Sequence, residues 1–309
     1  MANTDHSLLV EKYRPSVLKN YVGNENIKKS IAKYLDQNDI QNLIFYGPAG
    51  TGKTTLAKII VANLDCDHLY INASDERGIE TIRDKVQGFA SVASFKPLKV
   101  VILDEADFLT IQAQASLRNI IETFSRTTRF IMTCNFVERI IDPLQSRCQV
   151  LKIIPPTKKD VAKHLNWILQ QESIKHDIND LVPLVNQYYP DLRKCINTIQ
   201  LSTQDNTLKL DQSVLVSSNY IDKVINALSE GSKFNKVDCY NDIRQIIADA
   251  NVDDFDELFR ALYERSSEYL QDKEGTASIL INEHQYKSNF RIDKEINTMS
   301  LIQNLINNK

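Results

Sequence analysis

The chain has 309 residues, 42% apolar and 25% charged, which is the composition of folded globular domains and excludes a disordered or fibrous chain. That length exceeds one small core and calls for two or three domains. A formal net charge of −3 and a pI near 6.0 exclude a globally basic nucleic-acid binder, so any DNA contact must come from a local surface or from several subunits together.

Met1-Ala2-Asn3-Thr4-Asp5-His6 lacks the charged-then-apolar layout of a signal peptide, and no apolar run approaches the ~18 residues of a membrane span. The expectation is an intracellular, soluble protein with no membrane partner: nuclear if eukaryotic, in the cytoplasm of a bacterial host if viral. The five cysteines (Cys66, Cys134, Cys148, Cys195, Cys239) are scattered without C-x-x-C spacing, which reads as reduced thiols and no zinc site.

In chain order, Leu43-Ile44-Phe45-Tyr46 predicts a short apolar strand, and Thr55 to Ala62 a helix. Between them Gly47-Pro48-Ala49-Gly50-Thr51-Gly52-Lys53-Thr54 completes the pattern G-x-x-x-x-G-K-[ST]. In that strand–loop–helix setting the glycines let backbone N–H groups converge on a phosphate, and the helix N-terminus adds partial positive charge. Lys53 would reach the β- and γ-phosphates, and the Thr54 hydroxyl would coordinate Mg²⁺. The alternative is a glycine-rich turn with no ligand.

His68 to Asn72 predicts a strand and Ile79 to Ala93 a helix. Val100-Val101-Ile102-Leu103-Asp104-Glu105 predicts a buried strand ending in two acids at the ligand-binding edge of a parallel sheet. There Asp104 would hold the metal of a bound nucleotide and Glu105 would polarise the attacking water. A buried strand with an acidic turn is the alternative. Ile111 to Phe124 predicts a helix, and Arg129 to Cys134 and Gln149 to Ile154 predict strands. Such alternation argues for an α/β fold with helices on both faces of the sheet.

Pro155-Pro156 marks a boundary, after which Lys158 to Gln171, Ile178 to Tyr188 and Leu192 to Ser202 predict helices. Thr203 to Ser213 is a polar stretch. From Tyr220 to Asn308 the pattern is mostly helical, most strongly at Phe255–Tyr269, Gly275–Tyr286 and Ile292–Ile306.

Several segments together carry a family resemblance. Asp104-Glu105-Ala106-Asp107 resembles the DEAD-type second motif of the AAA+ ATPases. Asn72-Ala73-Ser74-Asp75-Glu76-Arg77-Gly78-Ile79, Gln114-Ala115-Ser116-Leu117-Arg118 and Thr133-Cys134-Asn135 are similar to the second strand, a helix and the sensor-1 strand of sliding-clamp-loader small subunits. Lys12-Tyr13-Arg14-Pro15 with Tyr21-Val22-Gly23 resembles their adenine-side segment. Pro143-Leu144-Gln145-Ser146-Arg147-Cys148 resembles their arginine-finger motif, and Pro190-Asp191-Leu192-Arg193 their sensor-2 helix. The resemblance, to the replication factor C type and to T-even-type phage large subunits, covers about residues 8 to 200. The Asn/Ile/Lys-rich composition leans toward a virus.

The resemblance implies an AAA+ phosphate-loop domain over 1–154, a helical lid over 155–213 and a helical collar over 214–309. It implies an ATPase using ATP and Mg²⁺, with Thr54 and Asp104 at the metal and Tyr13, Arg14, Val22, residues Gly47 to Thr55 and Arg193 at the nucleotide. Glu105, Asn135 and Arg193 would act on the subunit's own ATP, and Arg147 on a neighbour's. Asn135 could instead simply cap a turn, and Arg147 and Arg193 could be surface charges. Arg77, Thr81, Arg83 and Lys85 would track a DNA backbone inside a spiral of subunits, or form a solvated charged face.

The implied partners are a sliding clamp, primer–template DNA and other loader subunits in a hetero-pentamer. Departures from the family pattern are Ala49 for proline, Phe108 for a small polar residue, Asn119 for a second arginine, and Tyr188-Tyr189-Pro190-Asp191 before Arg193. The competing readings are another AAA+ DNA-remodelling motor, which predicts a strand-rich winged helix near the C-terminus, and a monomeric phosphate-loop metabolite kinase.

Overall fold

A computed structural model describes residues 8–210, 220–230, 235–250, 255–270, 273–288 and 293–308. The N-terminal hexapeptide, the boundary expected at 213/214 and Ile292 lie outside the described residues. The chain divides into two compact units. One holds the described residues up to Leu181 with Tyr188–Leu208, and the other holds Val182–Gln187 with the described residues from Lys209 on.

In the first unit, strands β1 (Leu43–Tyr46), β2 (Cys66–Asn72), β3 (Leu98–Asp104), β4 (Thr128–Cys134) and β5 (Gln149–Lys152) form a parallel sheet in the order β2-β3-β4-β1-β5. β3 is buried at every position, as a strand covered on both faces must be. Its side chains alternate between two cores. Val101 and Leu103 join Phe130, Met132, Ile82 and Leu117 on one face, and Val100 and Ile102 join Phe45, Leu56, Ile60 and Ile31 on the other.

Parallel pairing brings every strand's C-terminal end to one edge. Tyr46 lies opposite Cys134, and Asn72 opposite Asp104. The glycine loop after β1, the two acids after β3 and Asn135 after β4 therefore share that edge, where open α/β sheets bind ligands.

The helix expected from Ile79 to Ala93 ends earlier, because Val92 is already extended, and its middle, Ile82–Gln87, is a π-helical turn. Ile82 and Val86 are buried there, which leaves Arg83 and Lys85 exposed. A helix at Glu25–Gln37 that periodicity did not single out packs Ile31 into the second core. Lys158–Gln171 forms a helix whose first turn is capped by the Thr157 hydroxyl, accepting from the Asp160 N–H. Asp191 caps Leu192–Leu201 in the same way, accepting from the N–H groups of Arg193 and Lys194 at 2.9 and 3.1 Å.

The polar stretch after Leu201 is not plain loop. Thr203–Gln204 and Thr207–Leu208 pair as an antiparallel hairpin around Asp205 and Asn206, both at positive φ.

In the second unit, helices Tyr220–Glu230, Lys236–Ala250, Asp256–Glu264, Glu274–Ser288 and Lys294–Asn307 surround a core that includes Val224, Ile243, Phe259, Leu301 and Ile302. The segment expected to be helical through Tyr269 breaks after Glu264 into a single 3₁₀ turn, Ser266–Glu268. His284 is buried and fully paired: Nδ1–H donates to Asn297 Oδ1 at 3.1 Å, and Nε2 accepts from Asn304 Nδ2 at 3.2 Å. No strand occurs among the described residues after Leu208. No helix there or elsewhere among the described residues is long and apolar enough to cross a membrane.

Candidate nucleotide site

Gly47, Gly50 and Gly52 take φ values of 146°, 72° and 90°, so the loop follows a path that L side chains avoid. Space is equally restrictive. A Cβ at Gly47 would lie 2.5 Å from the Ile153 carbonyl oxygen, and one at Gly52 would lie 2.9 Å from the Tyr21 ring. The loop is braced from outside, since the Tyr21 hydroxyl donates to the Thr51 carbonyl (3.2 Å) and the Thr51 hydroxyl to that of Pro48 (2.8 Å).

Lys53 is 8% exposed, and its ammonium donates to the carbonyls of Gly47 and Pro48, both at 2.7 Å, and to Asn135 Oδ1 at 2.8 Å. Burial pulls its pKa below the ordinary lysine value; Cys134, Asp104 and Asp107 oppose that, and the nearby Arg193 cation reinforces it.

Asp104, 7% exposed at the end of β3, is the most heavily bonded carboxylate of the site. Its Oδ1 accepts the Thr54 hydroxyl at 2.7 Å and the Thr133 hydroxyl, and its Oδ2 accepts the Tyr70 hydroxyl at 2.7 Å. Glu105 follows in the left-handed region at φ 55, which is costly for a non-glycine residue and turns the chain sharply at the strand end. Its N–H donates to Thr133 Oγ1 at 3.1 Å. Asp107 Oδ2 accepts the backbone N–H groups of Asn135 (3.2 Å) and Phe136 (3.3 Å), which joins the second motif to the end of β4. The other oxygen, Oδ1, is buried without a hydrogen-bond partner among the described residues. Burial pushes the Cys134 thiol beside it up to about 12, so that sulfur stays protonated.

A cleft of about 680 Å³, counting its open mouth, adjoins the loop. Tyr13, Arg14, Val22, Gly50, Thr55 and Arg193 are among its walls, so residues from four separate stretches of sequence meet there. Tyr13 is anchored by donating its hydroxyl to Glu172, which also pairs with Lys12 at 2.6 Å, and by an edge contact with Trp167. The mixed apolar and polar lining suits a nucleoside.

The chain's donors also suit a hard divalent cation. Thr54 and Asp104 offer one hydroxyl and one carboxylate, the sparse oxygen set that Mg²⁺ takes alongside substrate phosphates and water. No cluster of three or more His, Cys, Asp or Glu side chains capable of caging a metal occurs among the described residues.

The structure does not bring every expected residue together. Arg147 lines a separate groove with Tyr34, Asp39, Arg129 and Cys148. Its guanidinium pairs with Glu122 and donates to the Pro143 carbonyl at 2.6 Å. Arg77, Arg83 and Lys85 are exposed around the helix that follows β2, and Glu76 engages both Lys85 (2.7 Å) and the Thr81 hydroxyl (3.3 Å). Sequence reasoning missed Tyr70, Glu122 and the cleft residue His164. The first is brought to Asp104 by the β2–β3 register, which sets Tyr70 beside Ile102, two residues before Asp104, so no local sequence signal marked it.

Known proteins support the same reading. Residues 43–156 match the family model for the ATPase family associated with various cellular activities (AAA). The chain is 34% identical to a replication factor C small subunit of Thermofilum pendens over 96% of both chains. It is 42% identical to one from Haloarcula marismortui, over 63% of this chain and 62% of that protein. A probable replication factor C subunit 5 of Dictyostelium discoideum is 39% identical over 64% of this chain and 61% of its own length. Among solved structures, the Thermotoga maritima RuvB Holliday junction branch migration motor has a TM-score of 0.58 at 17% identity, covering 82% of this chain and 91% of that one, which is a likeness of fold alone. With the phosphate loop, the acidic strand end and full-length similarity in agreement, the chain belongs to the replication factor C small-subunit family of AAA ATPases.

Proposed function

We propose that this chain is the ATPase subunit of a clamp loader, which uses ATP to place a ring-shaped sliding clamp on primer–template DNA during replication. The observation that carries the assembly part of this reading is the position of Arg147. It lines a groove apart from the residues around Lys53, paired there with Glu122, so it does not serve its own subunit's nucleotide and would reach one bound by another subunit by exchanging that pair. A finger of this kind stabilises charge in the transition state and is worth ~10³–10⁵ in rate.

Within one subunit, Lys53 and the loop N–H groups bind the phosphates, and Tyr13, Arg14 and Val22 shape the base end of the cleft. Thr54 and Asp104 would hold Mg²⁺, which when bound neutralises charge developing on the phosphates. Glu105 orients and polarises water, and Asn135, fixed by Lys53 and by Asp107, positions it. Arg193 ties the helix Leu192–Leu201 to the nucleotide. Residues 155–213 would form the lid and 214–309 the collar of a hetero-pentamer, with Arg77, Thr81, Arg83 and Lys85 facing the DNA phosphates. A soluble intracellular setting, the cytoplasm or the nucleus, follows from that work.

The test is ATP hydrolysis by the reconstituted loader with and without clamp and primer–template DNA. Stimulation by both is expected, and absence of stimulation by either removes the clamp-loading assignment. Mixing Glu105→Gln with Arg147→Ala subunits should restore partial activity, because a shared site joins one intact Glu105 to one intact Arg147. A branch-migration motor finds no support in the described residues after Leu208, which contain only helices and turns.

A further inference from the structure

Tyr70 belongs to none of the motifs discussed above, yet its hydroxyl touches the central carboxylate of the site. It lies near the C-terminal end of β2, which among the described residues pairs only with β3 and forms the edge of the sheet. A tyrosine on an edge strand can satisfy its hydroxyl with water. This one, 41% exposed, instead directs its hydroxyl inward to Asp104 Oδ2 at 2.7 Å. The ring is fixed from above, with the Lys58 ammonium 4.9 Å from its centroid.

The partner carboxylate makes the contact consequential. Asp104 Oδ1 is already taken by Thr54 and Thr133, so Oδ2 is the atom left to set the rotation of the carboxylate plane. Thr133 comes from β4, Thr54 from the helix after the phosphate loop, and Tyr70 from β2. The carboxylate is therefore held from three sides, and among the described residues Tyr70 alone holds the second oxygen.

We propose that Tyr70 is a positioning residue for Asp104, clamping Oδ2 so that the carboxylate meets a nucleotide-bound divalent cation in one fixed orientation. This rests on the assignment of Thr54 and Asp104 to the metal and adds to it a residue that acts through the ligand. Partners of this kind typically change metal affinity by 10–100-fold when removed. Tyr70→Phe deletes only the hydroxyl and keeps the ring under Lys58.

The experiment is Mn²⁺ binding, followed by electron paramagnetic resonance, to the full-length chain saturated with a non-hydrolysable ATP analogue. Analogue affinity in EDTA and the melting temperature are measured alongside. The expected result is a roughly 10-fold weaker Mn²⁺ affinity in Tyr70→Phe, with EDTA affinity and melting temperature unchanged. Equal or tighter Mn²⁺ binding by the variant overturns the proposal. So does an equal loss of analogue affinity in EDTA, which would mark general damage to the cleft. If the wild-type chain itself fails to bind Mn²⁺ with the analogue, the metal assignment beneath the proposal falls first.

Discussion

Gly50 joins the phosphate loop to the helix that carries Arg193, and substituting it tests that junction. A methyl group at Gly50 would overlap the Asp191 carboxylate and lie 2.9 Å from its Cα, while the residue holds φ +72°. Two costs follow for Gly50→Ala. Holding an L-residue in the left-handed region costs about 1–2 kcal/mol. Pushing the Asp191 carboxylate off the N–H groups of Arg193 and Lys194 removes a helix cap worth about 1 kcal/mol. The sum is about 2–3 kcal/mol, or roughly 8 °C in melting temperature at ~3 °C per kcal/mol for a unit of this size. Because the second cost is the loss of the cap, Asp191→Ala alone should cost about 1 kcal/mol, and adding it to Gly50→Ala should cost almost nothing more. Urea unfolding of the wild type, both single variants and the double variant gives the coupling, expected near −1 kcal/mol. Strict additivity, or a Gly50→Ala cost below about 0.5 kcal/mol, would falsify the packing argument.

Other substitutions probe the remaining parts. Glu105→Gln should keep nucleotide binding by equilibrium titration while lowering hydrolysis ~10²–10⁴-fold. Lys85→Ala should flatten the salt dependence of DNA binding, cutting the slope of log K against log salt by about 0.9, and Glu76→Gln should tighten binding by freeing Lys85; fluorescence anisotropy across a salt series reads both. Burial holds the His164 pKa below its ordinary value, so between that lowered value and ~6.5 the unfolded chain takes up a proton the folded chain refuses. Stability should therefore be constant above about pH 6.5 and fall as pH drops below it, and His164→Gln should flatten the urea midpoint between pH 5.5 and 7.5. His284→Leu should cost about 1–3 kcal/mol by chemical denaturation, since it leaves Asn297 Oδ1 and Asn304 Nδ2 without their imidazole partner.

The site was legible in the sequence wherever its chemistry is local. Gly47 to Thr54 carries its own backbone geometry, because three glycines fix the path and Lys53 folds back onto the loop it follows. The run Val100 to Asp104 announced a central strand, and the structure buries β3 throughout. Less legible was anything decided by register or by distant pairing. Tyr70 meets Asp104 only because β2 pairs with β3 in one particular alignment, and Arg147 meets Glu122 across 25 positions. The hairpin after Leu201 escaped notice for a different reason. Its turn is Asp205-Asn206, which reaches positive φ without the glycine that usually signals it.

The same distinction bears on where function in such a chain can diverge from that of its relatives. Lys53, Thr54 and Asp104 each have more than one partner or are caught in a shared network, so replacing one strands several buried polar groups. Tyr70 sits at the margin of that network and Glu122 and Glu76 lie outside it, all at least partly exposed, with bonds that can be lost without collapsing the core. These marginal residues set how firmly the carboxylate, the arginine and the lysine are held. Rate, metal affinity and DNA affinity can therefore be tuned at the margin while the centre stays fixed. Substitutions at Tyr70, Glu122 and Glu76 should consequently shift binding and rate constants while leaving the melting temperature nearly unchanged, whereas those at Lys53 or Asp104 should change both.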